Sequence, residues 1–157
     1  MGLTLFFLLA YLISSLFLVM KKKLNIIENS FSFLLFLIIN INFSWIVFEE
    51  LKLVTVTDEI VNYTAFLLNR SLIIPLLLLV YINFFQTWKN TVRRIFLTIC
   101  SLGIMLLLSG LSIFFDILTY VNWNLGYDVI YFSILHVIAY YTYRGFIKFA
   151  YRKVRYL

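Results

Sequence analysis

The sequence predicts an all-α fold: a single transmembrane domain over residues 1–157, built as an integral membrane helical bundle. Five transmembrane helices are expected, with the N-terminus outside and the C-terminus cytoplasmic. Three observations predict this. Apolar stretches at about 3–20, 31–48, 64–88, 95–115 and 129–147 approach or reach the length that crosses ~30 Å of hydrocarbon at 1.5 Å per residue. The chain is 64% hydrophobic and 13% charged with a mean hydropathy of +1.01, against roughly 45–50% and 25% in soluble domains. Finally, the charge of the polar stretches alternates in sign along the chain.

That alternation sets the orientation. Lys21–Lys23, Lys89, Arg93, Arg94, Arg144, Lys148, Arg152, Lys153 and Arg155 fall on one side, eleven basic residues with one acid, Glu28, giving +10. Lys52 and Arg70 fall on the other with Glu49, Glu50, Asp58, Glu59, Asp116 and Asp128, giving −4 of the net +6. Lys and Arg in short loops stay in the cytoplasm. The basic tail therefore reads as a partner of anionic lipid headgroups and no nucleic-acid partner is expected. No stretch between spans exceeds the 22 residues of 49–70, too few for a core of their own.

The first span lacks a basic segment before it and carries Lys21–Lys23 after it, so it is retained as a helix and is not a cleaved signal. Residues 24–30 link it to the second span, whose helix has room to begin early. Within that second span Asn40 and Ser44, four apart, share a helix face, while Asn42 points elsewhere. Amides at membrane depth bond neighbouring helices or line a ligand path; both readings stay open. The acidic stretch 49–62 is expected to be a loop or a segment lying in the interface.

The third span is placed at 64–88, with periodic apolar residues reaching back to Ile60 and an alternative start near Ser71. The early start puts Asn69 and Arg70 two or more turns inside the helix, where Arg70 either snorkels to the interface or pairs with Glu49, Glu50 or Asp116. It also puts Pro75 in a helix interior, where a kink is expected. Span four carries Gly103 and Gly110 two turns apart, a candidate seam for close helix packing. Ser109, Ser112 and Asp116 form a second, increasingly polar stripe. Cys100 reads as a small apolar core residue.

In the hairpin before span five, Tyr120, Trp123 and Tyr127 are rings suited to headgroup depth, and Asn124, Gly126 and Asp128 supply turn and capping chemistry. Span five holds the only histidine, His136, with Ser133, Tyr140 and Tyr143 on its face. A neutral imidazole bonded to a tyrosine hydroxyl or a carbonyl, and a proton relay, are the two readings.

No HExxH, GxSxG, Walker loop or GxGxxG occurs, and one His with one Cys builds no metal or haem site without carboxylates at depth. No cofactor and no metal are expected. The motif Tyr120–Val121–Asn122–Trp123–Asn124, followed by an aromatic span and a basic tail opening at Arg144, resembles a group of uncharacterised small multi-span membrane proteins of spore-forming Gram-positive bacteria. Phe48–Glu49 and Pro75 fit the same pattern, and the likeness covers about 30–152. It implies a multi-pass protein of the bacterial plasma membrane and adds no activity.

Three functional expectations follow. The first is a non-enzymatic subunit or scaffold of a membrane complex, a homo- or hetero-oligomer packing within the lipid bilayer through Gly103 and Gly110 and through the outer aromatic hairpin. The second is a small-solute or ion transport component in which Asn40, Ser44, Arg70, His136 and Tyr140 converge on a polar path. The third is an outer-leaflet lipid-modifying enzyme using Arg70 with Glu49, Glu50, Asp116 and Asp128.

Overall fold

A chain this apolar satisfies its backbone hydrogen bonds locally, and helices dominate. The computed structural model describes residues 1–88 and 90–154, with side chains through Phe146 and that of Lys148. Lys89 and Arg155 lie outside the described residues, as do the side chains of Arg152 and Lys153. The elements run α1 (Gly2–Val19), α2 (Ile26–Glu50), β1 (Val54–Val56), α3 (Ile60–Thr87), α4 (Thr91–Phe114), β2 (Leu118–Tyr120) and α5 (Leu125–Val154). The first four of these helices are long and apolar enough to cross a membrane. Helix α5, at 30 residues, is longer still but carries Asp128, His136 and several tyrosines.

Caps explain where the helices begin. The Asn25 side chain accepts from the third residue of α2 while Glu28 Oε2 accepts from the Asn25 N–H at 2.9 Å, a capping box that starts α2 well before residue 31. Asn90 Oδ1 accepts from the Val92 N–H at 2.9 Å and starts α4. Helix α3 takes the early start, at Ile60, so Arg70 stands about 15 Å along it. Pro75 stands inside this helix, the setting in which a kink is expected. The helix continues through the proline, and a π turn, Asn69–Ile73, immediately precedes it.

Residues 49–62 hold a strand where a loop or interfacial segment was expected. Val54, Thr55 and Val56 pair antiparallel with Tyr120, Thr119 and Leu118, and further bonds from Thr57 to Ile117 and from Val121 to Leu53 extend the ribbon. Lys52 and Asp116 take left-handed backbone angles (φ 49° and 53°) where the chain enters the turns flanking it. The ribbon and the N-terminus share one end of the bundle, since Gly2 lies against Phe115, Ile117 and Asn62. Lys21–Lys23, Arg93, Arg94 and Arg144 lie towards the opposite, basic end.

Helix α3 is the centre. It packs against each of the other four helices, and 72% of its apolar window is buried, against 17% to 28% for α1, α2 and α4. Phe6, Phe36, Leu78, Met105 and Leu135 fill the core around it. The surrounding helices turn Phe7, Tyr11, Phe31, Ile38, Phe96, Leu107, Ile134 and Tyr141 outward, an apolar exterior that suits lipid. Cys100, expected in the core, is on that exterior. A small, weakly polar thiol suits an apolar exterior as well as a core.

Candidate functional site

Pro75 determines the site. In the π turn the Ile74 N–H bonds the Asn69 carbonyl, five residues back. The same register assigns the Arg70 carbonyl to residue 75, and a proline has no N–H to give. Asn40 supplies the missing donor from α2: its Nδ2 lies 2.5 Å from the Arg70 carbonyl oxygen. Its Oδ1 accepts from the Tyr131 hydroxyl of α5, so one buried amide links three helices. Ser44, one turn on, donates to the Asn40 carbonyl at 2.7 Å. Asn42 bonds within its own helix and is exposed.

Tyr131 is held for this bond by aromatic packing. Its ring stacks on Phe43 at 3.7 Å between centroids, and Phe43 meets the Trp123 ring at 6.2 Å and 67°. Trp123 Nε1 donates to Asp128 Oδ1 at 2.8 Å, and the Tyr120 hydroxyl donates to Asp128 Oδ2. Asp128 is buried at the start of α5, and both carboxylate oxygens are occupied. Burial, and then the hydrogen bond to Asp128, push the Tyr120 hydroxyl above its ordinary pKa of 10.0.

These groups surround a cavity of about 60 Å³ beneath the ribbon, lined by Asn40, Ser44, Asn69, Arg70, Asp128 and Tyr131, with Val54 and Tyr120 from the ribbon itself. Arg70 folds back along α3 so that its Cζ lies 4.9 Å from the Phe66 ring centroid. Among the described residues its guanidinium has no ion-pair or hydrogen-bond partner, and its buried Nε is unbonded. Asn69, only 7% exposed, donates to Ser112 Oγ at 3.5 Å, while its Oδ1 is buried without a partner. A free cation and a free acceptor thus share one partly apolar cavity. Unmet groups of this kind are expensive unless something fills the space.

The candidate polar-path residues fall into two separate places. Asn40, Ser44 and Arg70 converge, whereas His136 and Tyr140 line a separate groove nearer the basic end. His136 Nδ1 lies 2.7 Å from the Phe132 carbonyl, which only accepts, so Nδ1 carries the proton and Nε2 accepts from Ser101 Oγ at 2.8 Å. Of the expected partners a carbonyl is present, though from the same helix, and the partner across the bundle is a serine of α4 where a tyrosine was the other expectation. Tyr140 meets Phe85 edge-on at 5.7 Å and carries Arg144 at 5.4 Å. Between the two sites, Leu78, Met105 and Leu135 close the centre of the bundle.

The expected outer acidic cluster does not form. Glu49, Glu50 and Asp116 are exposed, and none pairs with Arg70; of those carboxylates only Asp128 lines the cavity. Gly103 and Gly110 are half-buried, and a Cβ on either would meet nothing within 4 Å, so the stripe is not a packing seam inside this chain. Among the described residues no three His, Cys, Asp or Glu side chains assemble into a metal site. No family model, curated protein or solved structure matches the chain.

Asn83, like Ser101, is a buried polar residue for which the sequence alone predicted no role. It is fully buried at the basic end of α3, where its Oδ1 accepts the N–H groups of Lys23 (2.9 Å) and Leu24 (3.2 Å). Its Nδ2 donates to Asn29 Oδ1 (3.0 Å) and the Leu79 carbonyl (2.9 Å). Every bonding position of the amide is used, which makes it a latch between the α1–α2 turn and the central helix. The signal was an isolated amide in an otherwise apolar run, the same signal that marked Asn40.

Proposed function

We propose that this chain is a five-span protein of the bacterial plasma membrane, N-terminus outside, that acts without catalysis as a binding subunit. It holds a small polar ligand in the cavity at the ribbon end. The observation that carries the reading is the convergence of Asn40, Ser44, Asn69 and Arg70 around space in which the guanidinium has no partner. A structural arginine at this depth would be expected to have a carboxylate against it. Native mass spectrometry of the full chain released from nanodiscs tests this. The wild type should retain a bound molecule that Arg70→Gln loses, and a wild type carrying nothing but water would count against it.

The scaffold reading is favoured by a different observation, the open space beside Gly103 and Gly110 on α4. Gly103→Leu and Gly110→Leu should leave the chain's own fold intact while releasing any partner helix seated there. Co-purification that is unchanged in both variants would remove that reading. A transport path is less well supported, because His136 is doubly bonded and set apart from Arg70. A lipid-modifying centre is less well supported still, because three of its four acids face away from the cavity.

A further inference from the structure

We propose that the cavity binds a phosphate ester whose alcohol carries a hydrogen-bond donor, the headgroup chemistry of phosphatidylglycerol and phosphatidylethanolamine. The phosphate sits on Arg70 and the donor on Asn69 Oδ1. The inference rests on the binding function proposed for the same cavity and names its ligand.

Depth argues for phosphate. Helix α3 has 28 residues, about 42 Å, and exceeds a ~30 Å hydrocarbon core by roughly 6 Å at each end if centred. Arg70 stands about 15 Å from the start of α3, but its guanidinium lies over Phe66, one turn back towards the ribbon. The charge therefore reaches to within roughly 5 Å of the hydrocarbon boundary. The abundant anions near that level are lipid phosphates. The Arg70 guanidinium has no hydrogen-bond partner among the described residues, and the planar fork of a guanidinium can grip two phosphate oxygens at once.

Two further features restrict the class. Asn69 Oδ1 is a buried acceptor with no donor, and a headgroup hydroxyl or ammonium would complete it. A trimethylammonium headgroup has no such donor. Asp128 also lines the cavity, but its two oxygens accept from Tyr120 and Trp123, and no ion pair among the described residues joins it to Arg70. The cavity of about 60 Å³ has room for roughly four to five water-sized groups, enough for a phosphate moiety with the rest of the lipid outside.

The test titrates the full chain in uncharged detergent with phosphatidylglycerol, phosphatidylethanolamine, phosphatidylcholine and sn-glycerol 3-phosphate, following thermal unfolding and native mass spectra. The first two lipids should bind about tenfold more tightly than phosphatidylcholine, a difference read in the wild type alone. Arg70→Gln should weaken both about tenfold, and Arg70→Lys should retain intermediate binding. Asn69→Leu should abolish the preference over phosphatidylcholine. Glycerol phosphate binding as tightly as the lipids supports the same chemistry with a soluble source. Equal affinity for all three lipids, or no effect of Arg70→Gln in a variant with unchanged circular dichroism, overturns the proposal. If another molecule remains bound in an Arg70-dependent way and phosphate esters do not displace it, this inference fails and the binding function stands. A cavity holding only water defeats both.

Discussion

Asn40 of α2 donates to the carbonyl oxygen of Arg70 in α3, 2.5 Å away, at the position that Pro75 leaves without a backbone donor. The proline and the asparagine are 35 positions apart in sequence, yet each accounts for the other. Without Pro75 the amide would have no open carbonyl to meet. Without Asn40 the proline would leave a carbonyl inside the bundle with no donor.

Asn40→Leu should destabilise the protein by about 2 kcal/mol, because it strands both the Arg70 carbonyl and the Tyr131 hydroxyl. In a Pro75→Ala background the restored backbone N–H takes over the carbonyl, and the cost should fall by about 1 kcal/mol. Thermal or SDS unfolding of the four proteins measures this coupling. Additive costs would mean that Asn40 does not compensate for the proline.

Asn83→Leu should cost on the order of 2–3 kcal/mol, since the Lys23 and Leu24 amides lose their shared acceptor. Hydrogen exchange at those two amides should accelerate in step with the loss of stability. Asn42→Leu is the control: its exposed, intrahelical bond predicts a change within about 0.5 kcal/mol.

Tyr120 predicts a response to alkaline pH. Its folded-state pKa is raised, so its contribution is fully present below the ordinary value of 10.0 and is lost as pH rises beyond it, where the unfolded state ionises first. Stability measured from pH 8 to 11 should therefore fall above about pH 10, and less steeply in Tyr120→Phe. Parallel profiles for the two proteins would contradict the burial of this hydroxyl.

The histidine should be neutral with its proton on Nδ1. Nitrogen NMR of the labelled ring in detergent should report that tautomer, since a carbonyl faces Nδ1. Ser101→Ala should shift the Nε2 signal, and Tyr140→Phe should leave it in place. The reverse pattern would mean that a tyrosine is the partner after all.

Topology can be read by labelling in a Cys100→Ser background. Asp58→Cys, exposed at the ribbon end, should react with an impermeant maleimide in intact cells. Lys148→Cys, exposed on α5 beyond Arg144, should react only after permeabilisation. Labelling of both positions from the same side would refute five crossings.

Charge and apolar length carried most of the architecture. The runs of lysine and arginine fall near one end of the bundle, and every apolar stretch is helical where described. Boundaries shifted for local reasons, such as the Asn25–Glu28 capping box that starts α2 early. The ribbon was missed because three residues per strand leave only a faint pattern, the alternation Val54, Thr55, Val56, Thr57 with Leu118, Thr119, Tyr120 opposite. The site was half legible. Polar residues in apolar runs flagged Asn40, Ser44 and Arg70, but which helix faces meet depends on rotation about each axis, and periodicity does not supply it. Hence His136 found Ser101 across the bundle and a carbonyl of its own helix, and the place of Asn69 inside α3 did not reveal that it shares a cavity with Arg70.

The Tyr131–Asn40 bond joins residues 91 apart in the sequence, and this has a consequence for how the chain is made. In the membrane arrangement proposed above, α2 and α3 of the nascent chain can associate and satisfy the Arg70 carbonyl long before α5 has left the ribosome. During that interval the far side of the Asn40 amide, the roof strand β1 and the cavity wall all lack their counterparts. The arrival of the last helix and of β2 just ahead of it completes all three together. Quality control that recognises unmet polar groups in lipid thus has one late event to monitor, the docking of α5.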